Sequence, residues 1–182
     1  MLRRQAHERW SRRLNVKTIP LFVCLVAKWR YNGSQEASMT SEAIAEVLGG
    51  KKVLGRAIKN SVDLTELIRK GLPASAVVAL AEKLDLKSAA ISERLGIPQR
   101  TLTRRLSQHS RLTAAESDRT VRLARVYATA VDMIGNAEKA VEWLRTPNRA
   151  LAGELPLDRL DTDLGAREVE DILGRIAYGV YS

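Results

Sequence analysis

The stretch KSAAISERLGIPQRTLTRRLSQ, residues Lys87–Gln108, decides the fold of this 182-residue chain. Apolar Ile91 and Leu95 lie four residues apart, which places them on one face of a short helix. The segment Gly96–Pro98 ends that helix with a glycine, fills the corner with an isoleucine and opens a second helix with a proline. Two short helices around a tight glycine turn are the pattern of a helix-turn-helix. One position departs from the usual motif, because Ser92 stands where alanine is commonest.

The second helix is predicted to turn Leu102 and Leu106 inward and to leave a polar, basic face outward. Arginine can bond guanine bidentately, glutamine can pair with adenine, and threonine can contact a thymine methyl group or a phosphate. Arg105 and Arg111 are better placed for the DNA backbone, where they would contribute salt-sensitive affinity. The competing interpretation is that these arginines are simply solvated. The candidate DNA-binding residues are Gln99, Arg100, Thr101, Thr103, Arg104, Arg105 and Ser107.

Helical signals continue on both sides of this pair, so the sequence predicts an all-α protein. Aromatic residues make up only 4% of the chain, and leucine, alanine and arginine are abundant, which favours helices over strands. The segment Thr113–Glu116 is a capping box that opens a long helix, on which Arg119, Arg122 and Arg125 are expected to extend the basic surface. The other predicted helices upstream of the acidic end cover residues 42–48, 63–70 and 74–84, and the long one covers residues 114–134.

Charge is spread unevenly along the chain. The net charge of +9 divides into +6 for residues 1–38, +7 for residues 39–131 and −4 for residues 132–182. A basic middle suits a polyanion, and an acidic end suits a different partner. Catalytic triads, metal-ligand spacings and a phosphate loop are missing from the sequence, so we expect no enzyme activity, no cofactor and no metal. The single thiol, Cys24, favours a reducing cytoplasm.

The first 38 residues do not fit the helical pattern. A basic start and the apolar run 19–27 suggest a signal peptide, but no small-residue cleavage site follows and Lys28 interrupts the run at once. The run is also far shorter than the roughly 20 residues of a membrane span. Codons for residues 35–38 could supply a ribosome-binding sequence ahead of Met39. We therefore expect a disordered leader or a mis-assigned start, with Met39 as the natural first residue.

The acidic C-terminal region ends with a largely apolar and aromatic segment, RIAYGVYS, residues Arg175–Ser182. Upstream of it, Pro147 stops a helix, Asn148 caps a short turn, and Asp163 is placed to cap a final helix over residues 166–178. That helix has an apolar stripe made by Val169, Ile172, Leu173 and Ile176. An exposed apolar patch usually marks an interface. The alternative is that the tail folds back on its own core.

The same region resembles a known family. The pattern W-L-x-x-P-N-x-A-L-x-G-x-x-P, then L-D-T-D-x-G, then V-x-x-I-L-x-R-I-x-Y-G-V covers residues 137–181. It is similar to the toxin-binding domain of Xre/MbcA/ParS-type antitoxins. The family pattern has no place for the leader expected over 1–38, and it divides the rest of the chain into a helix-turn-helix and dimerisation domain over 39–134 and a toxin-binding domain over 135–182. The implied toxin-binding residues are Trp143, Asn148, Leu173, Arg175, Ile176, Tyr178, Gly179, Val180 and Tyr181, with Pro147, Leu151, Gly153 and Pro156 as framework.

The resemblance also implies partners and a mechanism. Such antitoxins neutralise a RES-domain toxin, an NAD-depleting enzyme, by covering its active cleft, and they repress their own operon through the helix-turn-helix. A homodimer would read two half-sites of operator DNA, with the apolar stripes of residues 63–84 as candidate dimer surfaces. The alternative function is a stand-alone helix-turn-helix regulator whose C-terminal domain binds another protein or a small ligand.

Overall fold

The computed structural model describes residues 41–177, which form helices joined by short turns and, within that range, no strand beyond one isolated bridge between Pro73 and Arg111. The all-α class and the helix-turn-helix are thereby confirmed. The leader, the Met39 start and the tail after Ala177 lie outside the described residues. In chain order the elements are α1 (41–47), α2 (Gly50–Leu54), α3 (Ser61–Lys70), α4 (Ser75–Lys83), α5 (Ser88–Arg94), α6 (Gln99–Ser107), α7 (Ala114–Ile134), α8 (Ala137–Leu144), the 3-10 helices Arg149–Leu151 and Pro156–Asp161, and α9 (Asp163–Ala177). None of the described helices is long and apolar enough to cross a membrane.

Local capping chemistry fixes where these helices begin. Asn60 accepts a hydrogen bond from the backbone of Asp63 at 2.9 Å, and Asn136 caps α8 in the same way. The capping box predicted at the start of α7 is present, with Thr113 and Glu116 each bonding the other's backbone N–H. These side chains supply partners for N–H groups that have none inside a helix.

Long helix α7 is the centre of the molecule. Its 21 residues pack against α3 and α4 on one side and against α8 and α9 on the other. Its buried side chains are Ser117, Thr120, Val121, Leu123, Ala124, Val126, Tyr127 and Ala130. A single apolar core results, and it continues across the predicted domain boundary at residue 134.

The apolar stripes on α3 and α4 are part of this core. Leu64, Leu67, Val77 and Leu80 are all buried inside the chain. They are therefore not free to form a dimer surface, contrary to the sequence-based expectation. Burying such side chains stabilises the monomer fold by roughly 1.5–3 kcal/mol each, which explains why they face inward.

Candidate functional site

The turn between α5 and α6 closes around buried apolar side chains. Ile91, Leu95, Ile97 and Leu102 are all almost fully buried, and Ile97 donates its backbone N–H to Ser92 at 2.9 Å. Gly96 has a φ of 62°, in the left-handed region that glycine enters without strain. Side chains and turn together hold α6 across α5, as the sequence predicted.

The outward face of α6 is exposed and polar. Gln99, Arg100, Thr103, Arg104 and Ser107 are all exposed, whereas Thr101 is half-buried. Within residues 41–177, Arg100 and Arg104 make no ion pair, so both guanidinium groups are available to an outside anion. The structure therefore brings the predicted base-reading side chains together on one surface.

Two arginines expected at the DNA backbone are engaged inside the protein instead. Arg105 Nη1 lies 2.5 Å from Glu116 Oε2, and this ion pair is largely shielded from solvent. Arg111 donates to the carbonyl oxygen of Gly71 at 2.7 Å. Both side chains tie α6 and the following turn to neighbouring backbone or helix. The capping box predicts the role of Glu116 at the start of α7, but not its second role as the partner of Arg105.

The basic residues of α7 also differ from expectation. Arg122 donates to the backbone oxygen of Asp161 at 3.0 Å, and Arg125 pairs with Glu170 at 2.8 Å. These two arginines therefore connect α7 to the C-terminal region and do not extend the basic surface. Arg122 also pairs with Asp118 at 2.8 Å, four residues earlier on α7, whereas the carboxylate partner of Arg125 lies 45 residues away, so sequence spacing could not reveal that pairing.

Two more ion pairs join the helix-turn-helix to the C-terminal region. Arg94 on α5 lies 2.7 Å from Asp158, and Arg145 after α8 lies 3.1 Å from Asp85 in the turn before α5. Sequence reasoning singled out none of these four residues for such a role. Ion pairs with this degree of exposure contribute little stability, so their effect is mainly to set orientation.

The predicted framework of the C-terminal region is present. Asn148 accepts a hydrogen bond from the backbone of Ala150 at 2.9 Å, which caps the first 3-10 helix, and Trp143 packs half-buried against the core. One detail is corrected: Thr162, and not Asp163, caps α9, because its hydroxyl accepts the Gly165 N–H at 3.1 Å. The final helix consequently begins at residue 163, three residues before the predicted start.

The predicted toxin-binding residues divide into three groups. Leu173 is completely buried, so it supports the helix from inside and has no surface to offer a partner. Arg175 is exposed and unpaired among residues 41–177, and Ile176 is half-buried. Tyr178, Gly179, Val180 and Tyr181 lie outside the described residues.

A shallow groove runs beside the end of α9. Its volume is about 300 Å³, and it separates the first 3-10 helix from α9. Arg159 on its floor pairs with Glu168 at 2.7 Å, and this hydrogen bond raises the pKa of the guanidinium. The lining residues are Ala150, Leu151, Ala152, Arg159, Glu168, Asp171, Ile172 and Arg175. The groove thus joins the predicted framework to the predicted contact residue Arg175.

Comparison with known proteins matches both halves of the chain. Residues 63–125 match the model of the antitoxin Xre-like helix-turn-helix domain, and residues 129–179 match that of the antitoxin Xre/MbcA/ParS C-terminal toxin-binding domain. An antitoxin Xre of Yersinia enterocolitica is 37% identical over 120 residues, which is 65% of this chain and 81% of the relative. An antitoxin Xre of Pseudomonas putida is 31% identical over 157 residues, covering 81% of this chain and 96% of the relative.

Two further likenesses are weaker. A Prs ADP-ribosylating antitoxin of Sphingobium is 28% identical over 140 residues, covering 72% of this chain and 87% of the relative. The M. tuberculosis MbcT-MbcA toxin-antitoxin complex contains a chain with a TM-score of 0.47 and 25% identity, covering 60% of this chain and 96% of that one. From the two domain matches and the two Xre relatives it follows that this chain belongs to the Xre antitoxin family, with a helix-turn-helix followed by a toxin-binding domain.

Proposed function

We propose that this antitoxin neutralises a RES-domain, NAD-depleting toxin by binding over its active site through the C-terminal region. The observation that carries the proposal is Arg175, which is exposed and unpaired at the end of α9 beside the groove. Arginine is a favoured interface anchor because it buries a large area and offers several hydrogen-bond donors. The name of the Sphingobium relative refers to ADP-ribosylation, a reaction that consumes NAD, and so supports this class of toxin.

Co-expression with the product of the adjacent toxin gene tests this proposal. Arg175→Ala should weaken neutralisation, and a chain ending after Gly174 should abolish it. Arg167→Ala is the matched control, because Arg167 is exposed on the same helix but already pairs with Asp163 at 2.9 Å. A soluble truncated chain that still protects cells would contradict the proposal. Failure of the adjacent gene product to deplete NAD would contradict the toxin class alone.

We also propose that α6 binds operator DNA and represses the operon. The unpaired guanidinium groups of Arg100 and Arg104 on the exposed face carry this proposal. Replacing both with alanine should weaken a gel shift on the upstream DNA while leaving toxin capture intact. Loss of capture with DNA binding retained would reverse the assignment of the two surfaces. If the variant kept both DNA binding and toxin capture, the exposed basic face of α6 would not have the proposed role.

A homodimer is the third element of the proposal, because two linked readers multiply affinity and specificity for paired half-sites. Since the stripes of α3 and α4 are buried, a dimer has to use other surface. Exposed apolar side chains on these two helices are Val62 and Val78. Light scattering of the purified full chain measures the mass directly, and a monomer at micromolar concentration would contradict this element.

A further inference from the structure

One side-chain polar contact joins the end of α6 to another helix, the start of α7. Arg105 and Glu116 are 2.5 Å apart, and their side chains keep only 16% and 12% of their accessible surface. In the part of the chain that the structure describes, no other side-chain hydrogen bond or ion pair joins α6 to another helix. Leu102 anchors the middle of α6 by burial. Leu106 packs half-buried against the same core, and the ion pair adds a polar contact between the end of α6 and the start of α7.

Glu116 is a well-fixed partner for this purpose. The same Oε2 atom accepts hydrogen bonds from the Thr113 backbone N–H at 2.7 Å and from the Thr113 hydroxyl at 2.9 Å. Burial alone raises the pKa of the Glu116 carboxyl, but the hydrogen bonds from Thr113 and Arg105 outweigh it and lower the pKa. The carboxylate is consequently charged at neutral pH and faces Arg105 in a defined position.

The start of α7, on which Glu116 stands, is itself anchored to a distant segment. Ser117 accepts a hydrogen bond from the backbone of Leu72 at 2.9 Å and donates one to Thr113 at 2.8 Å. Leu112 also donates its N–H to the carbonyl oxygen of Leu72 at 2.8 Å. Glu116 thus offers α6 a rigid reference point within the core of the protein.

We propose that Arg105 is a positioning residue, which sets the angle of α6 in the DNA groove through Glu116 and makes no phosphate contact of its own. This inference rests on the proposed DNA-binding function of α6. With about 3.6 residues per turn, two residues turn about 200° around the helix axis, so Arg105 lies on the opposite side of α6 from Thr103 and Ser107. Base recognition requires that the side chains of α6 be placed against the base edges to within a fraction of an ångström, whereas affinity for phosphates depends mainly on charge.

Binding of the full chain to two labelled DNA duplexes over a salt series tests the inference. One duplex carries the region directly upstream of this chain's gene, and the other is a scrambled sequence of equal length. Arg105→Gln and Glu116→Gln should each weaken binding to the upstream duplex about 10-fold, with scrambled-duplex affinity and salt slope unchanged. The double variant should be no worse than either single one, because both remove the same ion pair.

Arg104→Gln is the matched comparison, since Arg104 is exposed and unpaired among the described residues. It should lower the salt slope by about one for each copy bound, as loss of a DNA contact does. A similar fall in slope for Arg105→Gln would overturn the inference. Stronger binding by Glu116→Gln would also overturn it, because a released Arg105 would then be reaching DNA.

Folding controls keep the outcome unambiguous. Glutamine preserves the capping box, so Glu116→Gln decides the question even if Arg105→Gln fails to fold. Circular dichroism at the assay temperature shows whether each variant keeps its helices. A wild-type chain that does not prefer the upstream duplex contradicts the proposed DNA-binding function itself. A wild-type preference that survives in both single variants contradicts only the positioning role.

Discussion

Helices α6 and α9 carry the two candidate surfaces, and they are held in opposite ways. Helix α6 has one fully buried side chain, Leu102, and a single ion pair at its end. Helix α9 buries a continuous stripe against α7, which includes Val169, Ile172 and Leu173. A recognition helix that must present its length to DNA has little surface left for the core. A helix that supports a terminal contact can bury most of its apolar face.

The two helices also differ in whether their charged side chains have partners inside the protein. On α6, Arg100 and Arg104 have no acidic partner in the described range 41–177. On α9, acidic Glu168 and Glu170 pair with Arg159 and Arg125 from other elements. Helix α6 thus leaves two guanidinium groups unpaired among the described residues, whereas two carboxylates of α9 form ion pairs within the protein.

The largest expected effect comes from breaking the apolar anchor of α9. Leu173→Ala should lower the free energy of unfolding by about 2–5 kcal/mol, because it leaves a cavity in a completely buried position. Leu164→Ala is the control, since Leu164 is on the same helix but 71% exposed and should change stability by less than about 0.5 kcal/mol. Urea denaturation followed by circular dichroism measures both. Equal effects would mean that α9 is not anchored as described.

Two glycines of α9 provide the next test. A Cβ atom at Gly165 would overlap the carbonyl oxygen of Arg159, whereas one at Gly174 would meet nothing within 4 Å. Gly165→Ala should therefore destabilise the protein by about 1–3 kcal/mol through overpacking. Gly174→Ala should stabilise it by about 0.5–1 kcal/mol, since alanine is the better helix former. Thermal unfolding should show a lower melting temperature for Gly165→Ala and a higher one for Gly174→Ala. Shifts of the same sign would contradict this packing.

The contrast between the two helices also marks what sequence reasoning can reach. The glycine corner at residue 96 and the capping box at Thr113 are encoded by near neighbours, so the helix-turn-helix and the start of α7 were predictable. The cap of α9 shows the limit of this local signal. Thr162 and Asp163 can both cap a helix, and the fold decides between them through the position of the Gly165 N–H.

Side-chain roles were harder to predict than helices. An arginine on a helix gives no sign of whether its partner is DNA or a distant carboxylate. Arg125 pairs with Glu170, 45 residues away, and Arg105 with Glu116 across a helix boundary. For the same reason the sequence predicts Leu173 as a contact residue, although tertiary packing buries it fully. Which face of an amphipathic helix meets which neighbour is settled only by the assembled core.

The charged anchor of α6 should respond to acid, unlike the apolar anchor of α9. The pKa of Glu116 is lowered from its ordinary 4.5 in the folded state, so its stabilisation is complete above that value and is lost as the pH falls through the folded pKa. Glu116→Gln should lower the free energy of unfolding by about 1.5 kcal/mol at pH 7, and this difference should shrink below pH 4.5. Denaturation curves between pH 7 and pH 3 measure the difference.

Exposed Glu66 provides the control for this acid response. Hydrogen bonds and charge from Lys70 and Arg56 lower its pKa to about 2, so any contribution is lost only as the pH approaches that value. Solvent and salt screen the charges of an exposed pair. Glu66→Gln should therefore change the free energy of unfolding only slightly, and this small change should disappear at high ionic strength. If the two variants showed the same pH and salt dependence, the Arg105–Glu116 pair would not be shielded as the structure shows.

A buried hydroxyl in the helix-turn-helix provides a further comparison. Within the described residues, the Ser92 hydroxyl is buried and has no hydrogen-bond partner, whereas the buried Ser117 hydroxyl has two. Ser92→Ala should stabilise the protein by about 1 kcal/mol, because it removes an uncompensated polar group from the core. Ser117→Ala should destabilise it by about 1–3 kcal/mol, because it leaves the Leu72 N–H unsatisfied. Chemical denaturation compares the two, and a loss of stability in Ser92→Ala would mean that this hydroxyl has a partner in solution.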